Sequence, residues 1–183
     1  MRAVLAALTL LAVAAPAAAS PWAVVPAQSR IGFTATWLGK PVEGSFSRWN
    51  AAIDFDPTKP AAAKIVVDID TRSAVTGDRT VDGALPGDDW FGPERTATAR
   101  FVATSVTQSG PGAYVARGTL TLKGKSVAVA LPFSVRIAGD VATVAAALTL
   151  DRRALGLGLG SDATAAYVAF GVPVRIAVTA RRR

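Results

Sequence analysis

The feature that most constrains this chain is a period of two in its apolar residues, which recurs over most of the length. Within residues 126–137, for example, one face collects Val127, Val129, Leu131, Phe133, Val135 and Ile137. Successive side chains of a β-strand point to opposite faces, so this alternation predicts strands with one buried face. Because no long stretch has a helical period, the chain is predicted to be all-β.

Eight strands are predicted, and turn sequences rich in Gly, Pro and Asp separate most of them. They cover residues 30–38, 42–56, 64–70, 98–106, 113–123, 126–137, 141–150 and 167–180. Short connections favour antiparallel neighbours. Within the second strand the apolar residues change from even-numbered to odd-numbered positions, which predicts a bulge near residues 49–52. Eight strands with one apolar face fit a sandwich or a closed barrel, and only the barrel leaves no exposed edges.

The inward positions of such a barrel differ widely in size. Aromatic residues share this face with small ones such as Ala116, Gly118 and Ala146. A barrel of eight strands can be filled by a tapered core or can hold one small ligand. The alternation alone leaves both interiors open.

The first 19 residues have the order of a secretory signal peptide. Arg2 supplies the positive charge, residues 3–15 the apolar stretch and residues 17–19 a small-residue cleavage site. This apolar stretch is too short to span a bilayer. Cleavage after Ala19 leaves residues 20–183, which suit one domain. We therefore expect an exported, periplasmic protein.

Composition excludes much chemistry, because the chain has no Cys and no His. Disulfides, a Ser-His-Asp triad, a Cys nucleophile and a His-ligated metal are all impossible. No EF-hand spacing is present. We expect no catalytic residue, no metal and no cofactor apart from a bound lipid. The adjacent Asp88 and Asp89 have no second catalytic group beside them in the sequence, so solvated acids are the expected reading.

The charge pattern bears on partners. The formal net charge is +7, and three arginines end the chain at residues 181–183. This run fits a solvated tail or a transient contact with an anionic membrane surface. Nucleic acid is not expected, because no basic stretch is interleaved with aromatics.

Two segments between the predicted strands stand out. Residues 80–101 place Trp90 and Phe91 among Asp, Gly and Pro, and aromatics in an otherwise polar loop need a surface to cover. Residues 155–160 read "LGLGLG" but lack the spacing of a nucleotide loop, and no helix follows. We interpret this run as a flexible connection between the last two strands.

Four segments in order carry a resemblance to a known family. They are "SRIGFTATWLGKPVEGSFSRWNAAIDFDP" (29–57), "VVDIDTRSAVTGD" (66–78), "VDGALPGDDWFGPERTATARF" (81–101) and "YVARGTLTLKGKSVAVALPFSV" (114–135). Through them the chain resembles the YceI-like family of exported lipid-binding proteins, over about residues 22–180. Val81 and Ala84 stand where the family often has Arg and His. The resemblance therefore implies lipid-tail binding better than any headgroup preference.

The resemblance implies an eight-stranded, lipocalin-like antiparallel barrel whose internal apolar pocket binds an isoprenoid lipid, such as a polyisoprenoid or an isoprenoid quinone. It also implies a loop with short helical turns, about residues 73–97, lying against the barrel. The implied role is a non-catalytic carrier. The resemblance and the inward-facing positions of the strands together give the candidate ligand-binding residues, which are Phe33, Trp37, Phe46, Leu85, Trp90, Phe91, Phe101, Ala116, Gly118, Leu120, Phe133, Leu148 and Phe170.

Two other functions fit the same strands. A filled barrel would serve as an interaction module, docking on a membrane enzyme or an anionic membrane through its basic exterior. An isomerase or cyclase acting on a lipid would need titratable groups inside, and the inward positions offer hardly any. The sequence leaves open whether the barrel forms a homodimer.

Overall fold

The computed structural model describes residues 21–92, 94 and 96–183, and strands dominate this part of the chain. The strands are β1 (Pro21–Val24), β2 (Arg30–Trp37), β3 (Lys40–Phe46), β4 (Trp49–Asp54), β5 (Lys64–Asp70), β6 (Ala74–Val75), β7 (Thr98–Gly110), β8 (Ala113–Leu122), β9 (Lys125–Ala138), β10 (Val141–Asp151) and β11 (Gly171–Arg182). The helix α1 (Arg79–Ala84) and 3-10 turns at Pro26–Gln28, Pro60–Ala62 and Thr71–Ser73 interrupt them. None of the helices described is long and apolar enough to cross a bilayer. The predicted signal peptide, residues 1–19, lies outside the described residues.

The strands form one antiparallel sheet that closes on itself. Its order is β1-β4-β5-β7-β8-β9-β10-β11-β2-β3-β6, and β1 also pairs with β11. β1 and β2 follow one another along the same edge of β11, and β4 and β3 pair with them in turn. The result is the predicted closed, eight-stranded antiparallel barrel, with each of two wall strands split into segments.

The split in the second wall strand lies earlier than predicted. The sequence phase placed a bulge near residues 49–52, but β3 and β4 are separated at Ser47 and Arg48. Ser73 explains the position, since its carbonyl accepts the Ser47 N–H and its hydroxyl accepts the Arg48 N–H. These side-chain and main-chain partners replace the ladder bonds that the break removes.

Strands β9 and β10 separate toward one end of the barrel. Their ladder runs from Val141↔Ala138 to Ala146↔Phe133, although both strands continue beyond it. Pro132, which has no N–H to donate, is the first β9 residue past the end of this ladder. The wall therefore has a seam between the Lys125 end of β9 and the Asp151 end of β10.

Candidate functional site

An apolar cavity of about 180 Å³ lies inside the barrel. Every lining residue is aliphatic or aromatic, and all but β3 and β6 of the strands contribute. Val129, Leu131 and Val144 pack against the core and line this space, and they are only half-buried. The predicted internal apolar pocket is thus present, and the barrel is not filled.

The size of the cavity limits what fits without rearrangement. Pockets for small ligands usually measure about 300–1,000 Å³. An apolar cavity of roughly 150 Å³ stays dry and takes a molecule the size of benzene. The present space therefore accommodates a section of an apolar chain, and a longer chain requires side chains or a covering segment to move.

One end of the cavity is closed by apolar packing, and we call it the sealed end. Trp22 is buried there, and its indole N–H donates to the Phe55 carbonyl at 2.9 Å. The Phe55 ring lies edge-on to Tyr114 at 5.1 Å, and Tyr114 stacks on Phe133 at 5.4 Å. Trp22 therefore helps to close this end of the barrel.

The opposite end is closed by two loops, which together we call the cap. One loop is residues 76–92 and the other is residues 152–170. Leu155 and Leu157 of the second loop pack on Trp90 and Phe91 of the first loop. They also pack on Ala99 and Leu122 of the barrel wall. Ile69, Leu120 and Leu150 belong both to this cluster and to the cavity lining. The cap thus packs on residues that also line the cavity, and this is the surface that the aromatics of the 80–101 segment cover.

The "LGLGLG" run is a packed plug, so the interpretation as a flexible connection was wrong. Leu155 and Leu157 are buried, and the cluster they join includes Val127 and Leu150 from the two sides of the seam. Gly158 has φ +67°, and a Cβ there would lie 2.7 Å from the Arg152 Nη1 atom. Glycine is needed for this backbone shape and close approach.

Arg152 organises the second loop from inside. It is 1% exposed, and its guanidinium donates to the carbonyls of Leu157, Gly158, Asp162, Val168 and Ala169. It also pairs with the Asp162 carboxylate at 2.8 Å and lies over the rings of Trp90 and Phe170. Such complete partnering is what a buried charge requires.

Asp162 is kept ionised beside Arg152. Burial by itself raises the pKa of this carboxyl. The N–H groups of Val168 and Tyr167 and the charge of Arg152 outweigh burial, so the pKa of Asp162 lies below its usual value. The carboxylate accepts the Val168 N–H at 2.8 Å and the Tyr167 N–H at 3.1 Å, which fixes the end of the loop.

Asp89 joins the two loops of the cap. Its carboxylate accepts the N–H groups of Gly160 and Ser161 and the Ser161 hydroxyl, and its carbonyl accepts the Gly158 N–H. The Ser161 hydroxyl, followed by these N–H groups, holds the pKa of Asp89 below its usual value against the opposing effect of desolvation. The reading of Asp89 as a solvated acid was therefore incomplete, because the residue fastens the cap.

The structure distributes the candidate ligand-binding residues over several regions. Those that line the cavity are Phe101, Ala116, Leu120, Phe133 and Leu148. Those in the cap or against it are Phe46, Leu85, Trp90, Phe91 and Phe170. Phe33 packs between Gly44 and Phe46, and Trp37 stacks on Tyr167. Gly118 meets the backbone of β7, where a Cβ would lie 2.2 Å from the Val102 carbonyl oxygen.

Several lining residues were absent from the candidate set. They include Ile53, Ile65, Val67, Val174 and Ile176. The alternation of the strands places these residues on the inward face, but the candidate set consists mainly of aromatic and very small residues. The structural roles of Arg152 and Asp89 could not be recognised in the sequence, because each acts mainly through main-chain groups that only folding brings near.

The chemistry of the site is that of a binding cavity. No ionisable side chain lines it. Among the described residues, no group of three or more Asp, Glu, His or Cys side chains is placed to hold a metal ion. The arrangement can exclude water from an apolar group and enclose it.

Comparison with protein families gives one match, to the YceI-like domain, over residues 22–180. Among curated proteins, the chain is similar to a UPF0312 protein of Vibrio cholerae, with 31% identity over 101 residues, and to one of Shewanella oneidensis, with 33% identity over 106 residues. These matches cover 55% and 57% of this chain, and the chain spans about half the length of each relative, 53% and 56%.

Solved structures share the barrel. BcnA of Burkholderia cenocepacia superposes with a TM-score of 0.82 and 29% identity, over 85% of this chain and 98% of that one. A polyisoprenoid binding domain of Saccharophagus degradans, described as implicated in plant cell wall breakdown, gives a TM-score of 0.71. It is 16% identical and covers 91% of this chain and 99% of its own, so it shows the fold alone.

Proposed function

This chain belongs to the YceI-like domain family, and on that premise we propose that its barrel is a non-catalytic carrier for the apolar tail of an isoprenoid lipid. The observation that carries the proposal is the internal cavity, whose lining is wholly aliphatic and aromatic. The ligand class is that of the structurally similar polyisoprenoid binding domain. No further cofactor is part of the proposal.

The energy of binding would come from removing the tail from water. Each Å² of apolar surface that leaves water contributes about 25 cal/mol. The cavity offers no hydrogen-bond partner, so a polar headgroup would remain near the cap or outside it. Selectivity would then depend on the length and thickness of the tail more than on the headgroup.

Binding a long tail would require the cap to move. The present cavity of about 180 Å³ is smaller than a usual ligand pocket. Leu155 and Leu157 fill the adjoining space, and they share Ile69, Leu120 and Leu150 with the cavity lining. Displacing these two leucines would lengthen the cavity toward the seam between β9 and β10.

The carrier would work in the periplasm, after export and cleavage of residues 1–19. This part of the proposal depends on the signal-peptide pattern in the sequence. A carrier in that compartment needs its core for stability, since the chain has no Cys for disulfides.

The filled-barrel alternative is less well supported, because the inward valines and leucines of β9 and β10 face open space. Catalysis inside the barrel is also less well supported. Asp88 and Asp89 lie in the cap, and Asp89 is committed to Gly160 and Ser161.

Two neighbouring alanines of β4 test the carrier function. Ala51 lines the cavity and is half-buried, whereas Ala52 points outward and is exposed. Ala51→Phe would place a ring in the path of the tail, so we expect the purified protein to lose its bound lipid. Ala52→Phe adds the same ring outside and should retain the lipid. Lipid extraction followed by mass analysis compares the two variants with the parent.

Melting curves of both variants show whether each is folded, so that loss of lipid is not mistaken for loss of structure. A folded Ala51→Phe protein that retains as much isoprenoid lipid as the parent would contradict the proposal. So would a parent protein that never carries or takes up such a lipid.

A further inference from the structure

An apolar patch is exposed at the capped end, outside the cavity. It consists of Trp37 and Leu38 on the β2–β3 hairpin and Tyr167 in the second cap loop, and we call it the tip patch. The rings of Trp37 and Tyr167 stack with their centroids 5.9 Å apart. The Leu38 N–H donates to the Tyr167 carbonyl at 2.8 Å. Leu38 is 59% exposed and Tyr167 is 51% exposed, so one contiguous surface presents apolar groups to solvent.

The backbone at Leu38 is unusual for this residue. Leu38 has φ +48° and Gly39 has φ +77°, the shape of a two-residue hairpin turn that favours Asn-Gly. The β8–β9 hairpin has the same shape at Lys123, with φ +51°, and Gly124, with φ +72°. There the turn carries a polar side chain that donates to the Asp88 carbonyl. A leucine in this position is both strained and exposed, which points to a role for its side chain.

The tip patch is held in place by the cap. Asp162 accepts the N–H groups of Tyr167 and Val168, and Val168 bridges to Trp37. The Ala169 N–H donates to the Thr36 carbonyl at 3.1 Å. The apolar groups are therefore presented by fixed backbone, so little ordering is needed when they meet a partner.

The surroundings of the patch match a lipid surface. Residues 163–167 read Ala-Thr-Ala-Ala-Tyr and carry no charge, and the exposed Lys40 is the cross-strand partner of Trp37. Trp and Tyr favour the membrane–water interface, and a lysine can reach lipid phosphates while its stem stays in the apolar layer. The formal net charge is +7, or +6 without Arg2, and it attracts the protein to anionic lipids.

We propose that the tip patch docks the barrel on the surface of an anionic phospholipid bilayer. Leu38 inserts among the acyl chains, the rings of Trp37 and Tyr167 lie at the headgroup level, and Lys40 faces the phosphates. This contact would place the cap toward the membrane. The proposal goes beyond the carrier function and does not depend on it, because docking requires no lipid in the cavity.

The arginines at the other end are not the docking element. Arg181 and Arg182 are exposed, as a solvated run should be, but both belong to β11, so the interpretation of this run as a tail was wrong for them. The Arg182 guanidinium lies 5.0 Å from the centre of the Trp22 ring. These arginines belong to the sealed end.

Vesicle flotation tests the proposal with full-length mature protein. The vesicles contain equal parts of phosphatidylglycerol and phosphatidylcholine and no isoprenoid lipid, so that cavity binding does not contribute. Leu38→Asn should weaken vesicle affinity by about tenfold or more, because one buried leucine is lost. Its melting temperature should equal or exceed that of the parent, since Asn suits the turn. Tyr167→Ser should weaken the affinity as well.

Val102→Asn is the matched control, because Val102 is an exposed apolar residue on the barrel wall. This variant should float with the vesicles as the parent does. The proposal is overturned if the parent fails to bind these vesicles at low salt, or if Leu38→Asn binds as tightly as the parent. It is also overturned if replacing Arg181 and Arg183 abolishes binding while Leu38→Asn does not. Loss of cavity lipid in the Ala51→Phe variant would leave each of these outcomes unchanged.

Discussion

At the sealed end of the barrel, Trp22, Phe55 and Tyr114 close the interior with aromatic rings, whereas at the capped end two loops close it through Arg152 and Asp89. Trp22 lies within β1, which pairs with β4 on one side and with β11 on the other. Opening that end means breaking ladder bonds and exposing large apolar surfaces. The capped end also has an apolar cluster around Leu155 and Leu157, but its two loops are fastened to one another by hydrogen bonds, which water can replace.

The difference shows at which end of a closed barrel a ligand can enter and leave. Loops that are joined by hydrogen bonds open at lower free energy than packed strands do. Under the cap, the glycine-spaced Leu155 and Leu157 fill the seam between β9 and β10, where no ladder has to be broken. A ligand that exchanges with solvent or membrane would therefore pass the capped end.

The largest expected effect concerns the buried cation of the cap. Arg152→Met leaves Asp162 buried without its partner and removes donors from several carbonyls. We expect the free energy of unfolding to fall by about 3–5 kcal/mol. Arg153→Met is the matched control, because Arg153 forms an exposed pair with Asp151 and should change the value by about 0–1 kcal/mol. Urea denaturation measures the free energy of unfolding of both variants. If the two substitutions lower it equally, Arg152 does not organise the cap.

A disulfide across the cap tests whether this end opens. A Cβ at Gly160 would lie 3.4 Å from the Asp89 Cγ atom, a separation close to what a disulfide requires. The chain has no other Cys, so the double variant Asp89→Cys/Gly160→Cys contains only the designed pair. Oxidised protein should exchange a fluorescent isoprenoid lipid at least about tenfold more slowly than the same protein after reduction. Equal exchange rates in the two states would place the opening elsewhere.

The smallest expected effect is the response of the cap to acid. The pKa of Asp89 is lowered in the folded protein, so its contribution is complete above the unfolded value of about 3.9 and is lost as pH falls through the lowered pKa. Hydrogen-exchange protection of the Gly160 and Ser161 amides should decrease over that acidic range. Asp89→Asn should remove this pH dependence while leaving the strands protected. If hydrogen-exchange protection of these two amides in the parent protein stays constant over this pH range, Asp89 does not fasten the cap.

Much of the barrel could be predicted from the sequence, because strand alternation is a local pattern. Residues 126–137 and 141–150 were predicted within a few residues of β9 and β10. β1 was not predicted, since four residues are too few to show a period and their partners lie in β4 and β11. The break at Ser47 was misplaced because Ser73, a distant residue, determines it.

The cap could be predicted only in outline. The aromatic pair Trp90 and Phe91 indicated that the loop covers something, as the structure shows. Arg152 was not predicted, because an Asp-Arg-Arg sequence at a strand end is typical of solvated residues. Its burial follows from carbonyls that the chain brings together between residues 157 and 169. Main-chain acceptors leave no mark on the amino-acid sequence.

The measurement that most directly tests the central claim is native mass spectrometry of the parent protein, purified from the periplasm of its own host. The account predicts a species with one bound isoprenoid lipid per barrel, or its appearance after such a lipid is added. Bare polypeptide in every preparation, even after addition of isoprenoid lipid, would contradict it.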